Sequence, residues 1–355
     1  MPDEDQKRRA VADQLRAGAR GYASGAAEDL LAEAPEIGAE HGAGAYFMWQ
    51  GFLSQRIAEL ATAVELDEPG LFTTELNWLY STLSARDVEP GHVRRSVSCL
   101  GRTLQMELPD SSWRFVRPVV EYAEAAEPMG TEVDSRLVSG GEAADLAEAL
   151  LKSTLRGDAS GSIALVLDAY RAGMEAGVLY ERVILPVQAE VGTLWQRGEI
   201  GIADEHVATE LLRTTMMLLW HEATGGEVSG PVVVVGSVTG DQHDTGVRAA
   251  AHILDINGVR GICLGCDVPG EEFALAAARF EASAVIVSAT MTVHLPRVRQ
   301  AVAAVKAALP EVRVVVGGPA FGMEDPVAAG LAHKLGADAY ARTPTAAAGL
   351  IGSLH

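Results

Sequence analysis

The C-terminal part of the chain alternates short apolar runs with helical stretches, and this alternation limits its possible folds. The runs are rich in Val and Ile without polar alternation, which indicates strands buried on both faces of a parallel sheet covered by helices. We therefore predict a five-stranded, doubly wound α/β domain over 229–355. Its strands are predicted at 231–237, 260–264, 284–288, 312–316 and 338–341, and its helices at 245–257, 270–281, 294–308, 325–335 and from about 344.

Two loops of this domain are predicted to meet. In a flavodoxin-like strand order the switch point lies between the first and third strands, so the loops 237–246 and 288–294 form one crevice. The first loop reads GDQHDTG from Gly240 to Gly246. Asp241 can hold one ring nitrogen of His243, which leaves the other nitrogen available to a metal. Gly246 leaves room for a bulky ligand beside the backbone.

The pattern Asp-x-His-x-x-Gly after the first strand resembles the signature of cobalamin-binding domains. There the His replaces the benzimidazole of the cofactor as lower ligand of cobalt, the base-off/His-on mode. The resemblance implies that His243 is the lower cobalt ligand, and that residues after the third and fourth strands line the slot for the displaced nucleotide tail. The implied cofactor-binding residues of this domain are Asp241, Gln242, His243, Asp244, Thr245, Gly246, Ser288, Thr290, Thr292, Gly317 and Gly318.

Residues 140–225 are predicted to form a four-helix bundle before the α/β domain. Apolar residues recur near the helical period over 143–155, 160–176, 178–197 and 202–222. The segment 126–142, which contains Pro128-Met129-Gly130 and Ser139-Gly140-Gly141, is the predicted linker to residues 1–130. A bundle in this position is similar to the one that covers the upper face of the corrin in many cobalamin proteins.

Within the bundle, Trp195 is predicted to end one helix and Glu205 with His206 to begin the next. This spacing resembles that of the light-sensing cobalamin domains, in which the Trp packs against the adenosyl group and the Glu-His pair lies beside the upper axial position. The resemblance implies a light sensor that binds adenosylcobalamin and loses the adenosyl group when light breaks the cobalt–carbon bond. It implies that His206 then becomes the upper cobalt ligand. Taken alone, the segment also fits a core Trp with a solvated Glu and His.

Residues 1–130 are predicted to be mainly helical. The clearest stretches are 28–31, 52–63, 71–83 and 93–105. A helical N-terminal region without a recognisable output domain resembles the photocobilins, a subgroup that holds biliverdin beside the cobalamin. The resemblance implies a multidomain protein whose N-terminal domain is all-α, globin- or phycobiliprotein-like, with biliverdin as a candidate second chromophore.

No motif identifies bilin contacts, so candidates are chosen by chemistry. Cations for the propionates and aromatic rings for stacking are present, although a solvated helix face and ordinary core aromatics are the favoured interpretation of each. Cys99 is a candidate for a thioether, but a buried structural Cys is favoured. The other candidates are His92, Arg94, Arg95, Arg102, Trp49 and Trp78.

Charge and cysteine content restrict the partners and the compartment. The formal net charge of -20, with no basic stripe, opposes binding to a polyanion, so we expect no direct contact with nucleic acid. We find no membrane span and no signal-peptide pattern, and we predict a cytoplasmic protein. Three cysteines agree with a reducing compartment. Cys263 and Cys266 have the spacing of a redox motif, but we interpret them as small residues packed at a strand end.

Two other functions remain open. A corrinoid methyl carrier of a methyltransferase system shares the Asp-x-His-x-x-Gly pattern and a bundle, but the spacing of Trp195 and Glu205-His206 is not its signature. A cobalamin sensor without photochemistry would bind the same cofactor and ignore light. For the light sensor we expect no enzyme activity, and an output through a homo-oligomer or a protein partner that the bundle contacts.

Overall fold

The computed structural model describes residues 3–84, 89–126, 135–137, 140–226 and 228–352. The chain divides into two compact units, Met1–Val133 and Asp134–His355. The predicted bundle and α/β domain both lie in the second unit. Most of the predicted linker, including Pro128-Met129-Gly130 and Ser139, lies outside the described residues. No helix among the described residues is long and apolar enough to cross a membrane.

The first unit is helical, as predicted, but its helices are longer and more numerous than the sequence indicated. The stretch predicted at 28–31 is only the end of a helix of 30 residues. Its start is fixed by the Asp3 side chain, which accepts a hydrogen bond from the backbone N–H of Gln6. Ala residues supply much of its buried face, so its apolar periodicity is weak. The helices are α1 (Glu4–Glu33), α2 (Pro35–His41), α3 (Ala45–Leu66), α4 (Pro69–Ser84), α5 (Pro90–Glu107) and α6 (Asp110–Ala125).

The second unit begins with the bundle. Its second helix was predicted to reach residue 176 but ends at Arg171, because the chain turns at Gly173 with φ of 104°. The third predicted helix contains a π-helical segment (Leu179–Ile184) between two α-helical parts. The helices are α7 (Glu142–Leu155), α8 (Ala159–Arg171), α9 (Ala176–Val178), α10 (Leu185–Gln196) and α11 (Ile202–Thr224).

A parallel five-stranded sheet in the order β2-β1-β3-β4-β5 forms the core of the α/β domain. This is the flavodoxin-like order, and it confirms the predicted architecture. The strands are β1 (Val232–Val238), β2 (Arg260–Val268), β3 (Ala284–Ser288), β4 (Arg313–Gly317) and β5 (Ala339–Ala341). The helices are α12 (Thr245–Ile256), α13 (Gly270–Arg279), α14 (Leu295–Ala308), α15 (Asp325–Lys334) and α16 (Pro344–Gly352).

Strand β2 is longer than predicted. It continues to Val268, with an irregularity in its register beside Val235 and Gly236 of β1. Cys263 and Cys266 therefore lie within the strand and not at its end. Cys263 is exposed and Cys266 is half-buried, so the interpretation of both as small residues packed at a strand end was wrong in position for both and wrong in packing for Cys263.

Buried polar contacts join the bundle to helix α12. The Tyr180 hydroxyl lies 2.8 Å from Nδ1 of His252 and donates to the carbonyl of Met216. The Trp220 ring stacks on His252, and its indole N–H donates to Asp255 at 2.7 Å. Burial lowers the pKa of His252 to about 4, so this ring is neutral at physiological pH. These contacts hold α11 over the α/β domain.

Candidate functional site

The loop between β1 and α12 is built around the buried carboxylate of Asp241. One oxygen of Asp241 lies 2.8 Å from Nδ1 of His243 and also accepts the backbone N–H of His243 at 3.1 Å. The other oxygen accepts the backbone N–H of Thr290 at 2.6 Å. Because Thr290 belongs to the loop after β3, this carboxylate joins the two loops that were predicted to form one crevice.

The electrostatics of this pair keep Asp241 ionised. Burial alone raises the pKa of Asp241, but the hydrogen bonds from His243 and Thr290 outweigh it and lower the pKa to about 2. The same hydrogen bond raises the pKa of His243, burial opposes this, and the charges of Glu205 and Asp244 add to the rise. Glu205 belongs to helix α11 of the bundle, so a charge of the bundle acts on His243 of the α/β domain.

Asp244 connects the loop to the bundle. One of its oxygens lies 2.5 Å from Nη2 of Arg213 on α11, and the other accepts a hydrogen bond from Nε of Arg248 on α12 at 2.7 Å. Asp244 is buried. The residue next to His243 therefore fixes the loop against two helices at once.

His243, the predicted cobalt ligand in this loop, is exposed to solvent. The side chain of His243 is 60% exposed, and Gln242 and Gly246 are exposed beside it, whereas Asp241 and Thr245 are buried. A Cβ at Gly246 would meet no other atom within 4 Å, so open space lies beside the backbone here.

The structure places the other predicted crevice residues at the carboxyl ends of β3 and β4. Ser288 and Gly317 are partners in the parallel pairing of these strands. Thr292 is buried. Packing alone also requires glycine at these two positions. A Cβ at Gly317 would lie 2.6 Å from the carbonyl oxygen of Ala341, and a Cβ at Gly318 would lie 2.4 Å from the carbonyl oxygen of Ala289. Their role in binding a nucleotide tail stays a prediction.

Two residues of the crevice were not identified from the sequence. Nδ1 of His294, in the turn before α14, lies 3.9 Å from the second oxygen of Asp241. Asp267, at the end of β2, accepts the backbone N–H of Gly240 at 2.7 Å and supports the start of the loop. The predicted meeting of the loops could have indicated His294, since it is the other imidazole in them.

The bundle contributes a second imidazole. Helix α11 begins after Gly201, whose N–H donates to the side chain of Asp204 at 2.9 Å, and this cap sets Glu205 and His206 in the first turn. Nδ1 of His206 lies 2.5 Å from Glu205, and the His206 side chain is 73% exposed. Trp195, near the end of α10, is 37% exposed.

Comparisons with known proteins identify the class. Residues 231–347 match the family model of the B12 binding domain, and residues 146–219 match a second model with the same description. The chain is a cobalamin-binding protein. The two models cover the α/β domain and most of the bundle, so a cobalt corrinoid is the cofactor of the second unit.

Relatives of this cobalamin-binding protein include corrinoid proteins of Methanosarcina species. It is 29% identical over 180 residues to dimethylamine corrinoid protein 3 of Methanosarcina acetivorans, covering 50% of this chain and 82% of that protein. It is 29% identical over 183 residues to trimethylamine corrinoid protein 1 of the same organism, with 50% and 82% covered. The solved monomethylamine corrinoid protein of Methanosarcina barkeri shares its fold, with a TM-score of 0.50, 21% identity, and 59% and 99% covered.

The residues of the crevice fit a corrinoid. A corrin ring supplies the equatorial ligands of cobalt, so the protein must provide an axial donor and room for the ring. His243 has its Nδ1 held by a buried carboxylate, and no described residue is bonded to its Nε2. Open space beside Gly246 leaves room for a large ligand to approach the backbone of this loop.

The bilin candidates of the first unit are mostly engaged with other groups. Arg95 is paired with Glu36, and Arg102 with Glu33. His92 is buried with Glu40 and Glu89 nearby. These contacts weigh against the predicted role in binding propionates. The remaining candidates are Arg94, which donates to the carbonyl of Ala126, Trp49, which is buried, Trp78, and Cys99, whose thiol is buried with its pKa raised by burial.

Proposed function

We propose that this cobalamin-binding protein is a light sensor that holds adenosylcobalamin between His243 of the α/β domain and the bundle surface that carries His206. One observation carries the proposal: both imidazoles are prepared in the same way. Each has its Nδ1 at hydrogen-bond distance from a carboxylate, and within the described residues neither Nε2 has a partner. A methyl carrier needs only one such ligand, because the methyl group occupies the other side of the cobalt.

Residues of the α/β domain and of the bundle have different roles in the proposed sensor. Adenosylcobalamin, when bound, supplies a weak cobalt–carbon bond that visible light breaks. His243 binds the lower side, and Asp241 keeps its proton on Nδ1 so that Nε2 is free to ligate. Trp195 forms an apolar wall for the adenosyl group. His206 would hold the cobalt from the bundle after light, and a movement of the first turn of α11 would change the surface that a partner or second copy contacts.

The first unit has a separate proposed role. Met1–Val133 lies outside the residues that both B12 models match, and about half of this chain accounts for most of the length of the relatives. We propose that this unit is sensory, with biliverdin as second chromophore.

The second candidate is a methyl carrier in a methyltransferase system, and the comparisons favour it over the sensor. The similar proteins bear the names of methylamine corrinoid proteins. In that function the partner is a methyltransferase and light has no role. In both functions the chain itself carries or senses and does not catalyse, and we propose that it is not an enzyme.

Absorption spectra distinguish the candidates. The protein is loaded with adenosylcobalamin in the dark, and spectra and molecular mass are recorded before and after green light. A sensor gives a stable new spectrum that His206→Ala abolishes, together with a changed mass or partner affinity. A carrier loaded with methylcobalamin passes its methyl group to a thiol acceptor in the dark with a methyltransferase. A stable dark complex with neither response identifies a sensor of cobalamin without photochemistry.

A further inference from the structure

A chain of hydrogen bonds leads from His206 to the half-buried side chain of Gln188 on the neighbouring helix. Nδ1 of His206 lies 2.5 Å from one oxygen of Glu205, whose other oxygen accepts the hydroxyl of Thr209 at 2.7 Å. The Thr209 oxygen in turn accepts the side-chain N–H of Gln188 at 2.8 Å. Gln188 lies on α10 and the other residues on α11, so the chain joins the two helices that carry Trp195 and His206.

The order of residues on α11 explains why Glu205 needs this support. Neighbouring residues on a helix do not normally face each other, so a contact between Glu205 and His206 depends on where the carboxylate is held. Thr209 is four residues after Glu205 and therefore lies on the same face of the helix. An exposed charged pair contributes little by itself. A hydroxyl from the next turn reduces the freedom of the carboxylate and directs its second oxygen to the ring.

The donor directions in the chain are determined by its ends. An ionised carboxylate only accepts hydrogen bonds, so Thr209 donates its hydroxyl to Glu205 and accepts from the amide of Gln188. His206 must likewise donate from Nδ1 to Glu205 when its ring is neutral. The lone pair of the neutral ring then lies on Nε2, the atom that is free to ligate.

We propose that Thr209 and Gln188 are positioning residues that fix the Nδ1–H tautomer and the orientation of His206. This inference rests on the proposed function for its consequence, ligation by His206 after light. The tautomer itself is a property of the protein without cofactor. The lower ligand has the corresponding arrangement, in which the backbone of Thr290 holds the second oxygen of Asp241.

The test is the tautomer of His206 in the full chain without cofactor. Nitrogen-15 NMR of the imidazole rings is recorded over a pH series, the tautomer is determined on the alkaline plateau of the His206 signal, and that signal is assigned by its loss in His206→Gln. The wild type is expected to show mainly Nδ1–H. Thr209→Val should shift the ring toward a mixture of tautomers, and Thr209→Ser should restore it. Gln188→Met should have the same effect as Thr209→Val, but smaller.

Thr214→Val is the matched control. Thr214 lies on the same helix, is exposed, and its hydroxyl contacts only the backbone carbonyl of Glu210, so the tautomer of His206 should not change. Circular dichroism checks that each variant is folded. An unchanged tautomer in folded Thr209→Val overturns the proposal, as does the same shift in Thr214→Val.

A second measurement separates this inference from the proposed function. In the loaded protein after light, Thr209→Val should reduce the fraction with His206 ligation by up to about tenfold, since outer-shell partners of ligands act on this scale. If the wild type shows the Nδ1–H tautomer but no ligation by His206 after light, the light-sensor proposal fails and the positioning role stands. If ligation occurs and Thr209→Val changes neither tautomer nor ligation, the positioning role fails alone.

Discussion

The two imidazoles of the second unit are held by the same chemistry but with different rigidity. Asp241 is fully buried and is fixed by backbone N–H groups of two loops at the end of a parallel sheet. Glu205 is 24% exposed and is fixed by a side-chain hydroxyl, and His206 is more exposed than His243. Backbone donors of a sheet move little, whereas a helix turn held by side chains moves at small cost. As the proposed lower ligand, His243 is therefore suited to permanent binding, and His206, as the proposed upper ligand, is suited to conditional binding.

The largest effect should come from His243. We expect His243→Ala to lose the His-on spectrum and to weaken cobalamin binding by more than the roughly 10–100-fold typical of outer-shell changes, because the ligand itself is removed. Equilibrium titration monitored by absorption measures this. His333→Ala, on α15 and remote from the crevice in sequence, is the control. Unchanged affinity and spectrum in His243→Ala would show that another group ligates the cobalt.

Replacing His206 should change the response to light and leave cobalamin binding in the dark nearly unchanged. His206→Ala should bind adenosylcobalamin in the dark with an affinity within about twofold of wild type, because the adenosyl group occupies the upper side. After light it should lack the spectrum of cobalt with two imidazole ligands. Spectra before and after illumination test both parts. A wild-type photoproduct that keeps water on the cobalt would contradict the assigned role.

Asp241 and Glu205 should differ in the same way as the histidines they hold, with smaller effects on dark binding and on the response to light. Asp241→Asn should weaken cobalamin binding in the dark by about 10–100-fold, since a carboxylate bonded to Nδ1 of a ligating His holds the tautomer and orientation of the ring. Glu205→Gln should leave dark binding nearly unchanged and reduce only the response to light. Titration in the dark and photoproduct yield are measured for both variants. Equal losses of dark affinity would remove the distinction between a permanent and a conditional ligand.

The fold could be predicted in those parts where one physical signal dominates. Runs of Val and Ile without polar alternation located all five strands, because burial on both faces leaves a clear sequence pattern. The flavodoxin-like order was assumed and did not follow from these runs, and the structure has this order. Helix α1 was underestimated because alanine buries well but contrasts little with its neighbours. The end of β2 was placed too early, since the irregular pairing near Cys263 and Cys266 interrupts the strand pattern.

The candidate site was predictable in its local contacts and not in its distant ones. The contact between Asp241 and His243 follows from their spacing in one loop. The ion pair of Arg213 with Asp244 joins residues 31 positions apart, and Gln188 and Thr209 are 21 apart. Such pairs depend on how α10 and α11 pack over the α/β domain, which helical periodicity does not determine. His294 differs from these pairs: it lies at the crevice because of the strand order, which was predicted, so its position could have been expected.

Arg213 lies on helix α11 of the bundle and pairs with Asp244 in the loop after β1. Replacing it should therefore affect both the bundle and the loop. Arg213→Gln removes one of the two cations on Asp244 and leaves Arg248 in place. We expect a loss of cobalamin affinity of about threefold to tenfold, below the effect of Asp241→Asn, and faster hydrogen exchange in the loop 241–246. Arg171→Gln is the control, because Arg171 forms its ion pair with Glu222 on the bundle surface. Unchanged exchange in Arg213→Gln would show that the loop is fixed without the bundle.

A loss of similar size, restricted to the adenosyl form, should come from Trp195, which we propose contacts the variable group of the cofactor and not the cobalt. Trp195→Ala should leave methylcobalamin binding unchanged and weaken adenosylcobalamin binding by about threefold to tenfold, because the large flat ring no longer covers the adenosyl group. Trp195→Phe should keep part of the difference. Paired titrations with the two cofactors measure the ratio directly. If wild type and Trp195→Ala prefer the two cofactors equally, the bundle does not select for the adenosyl group, and the conditional role of its side of the crevice would then depend on His206 alone.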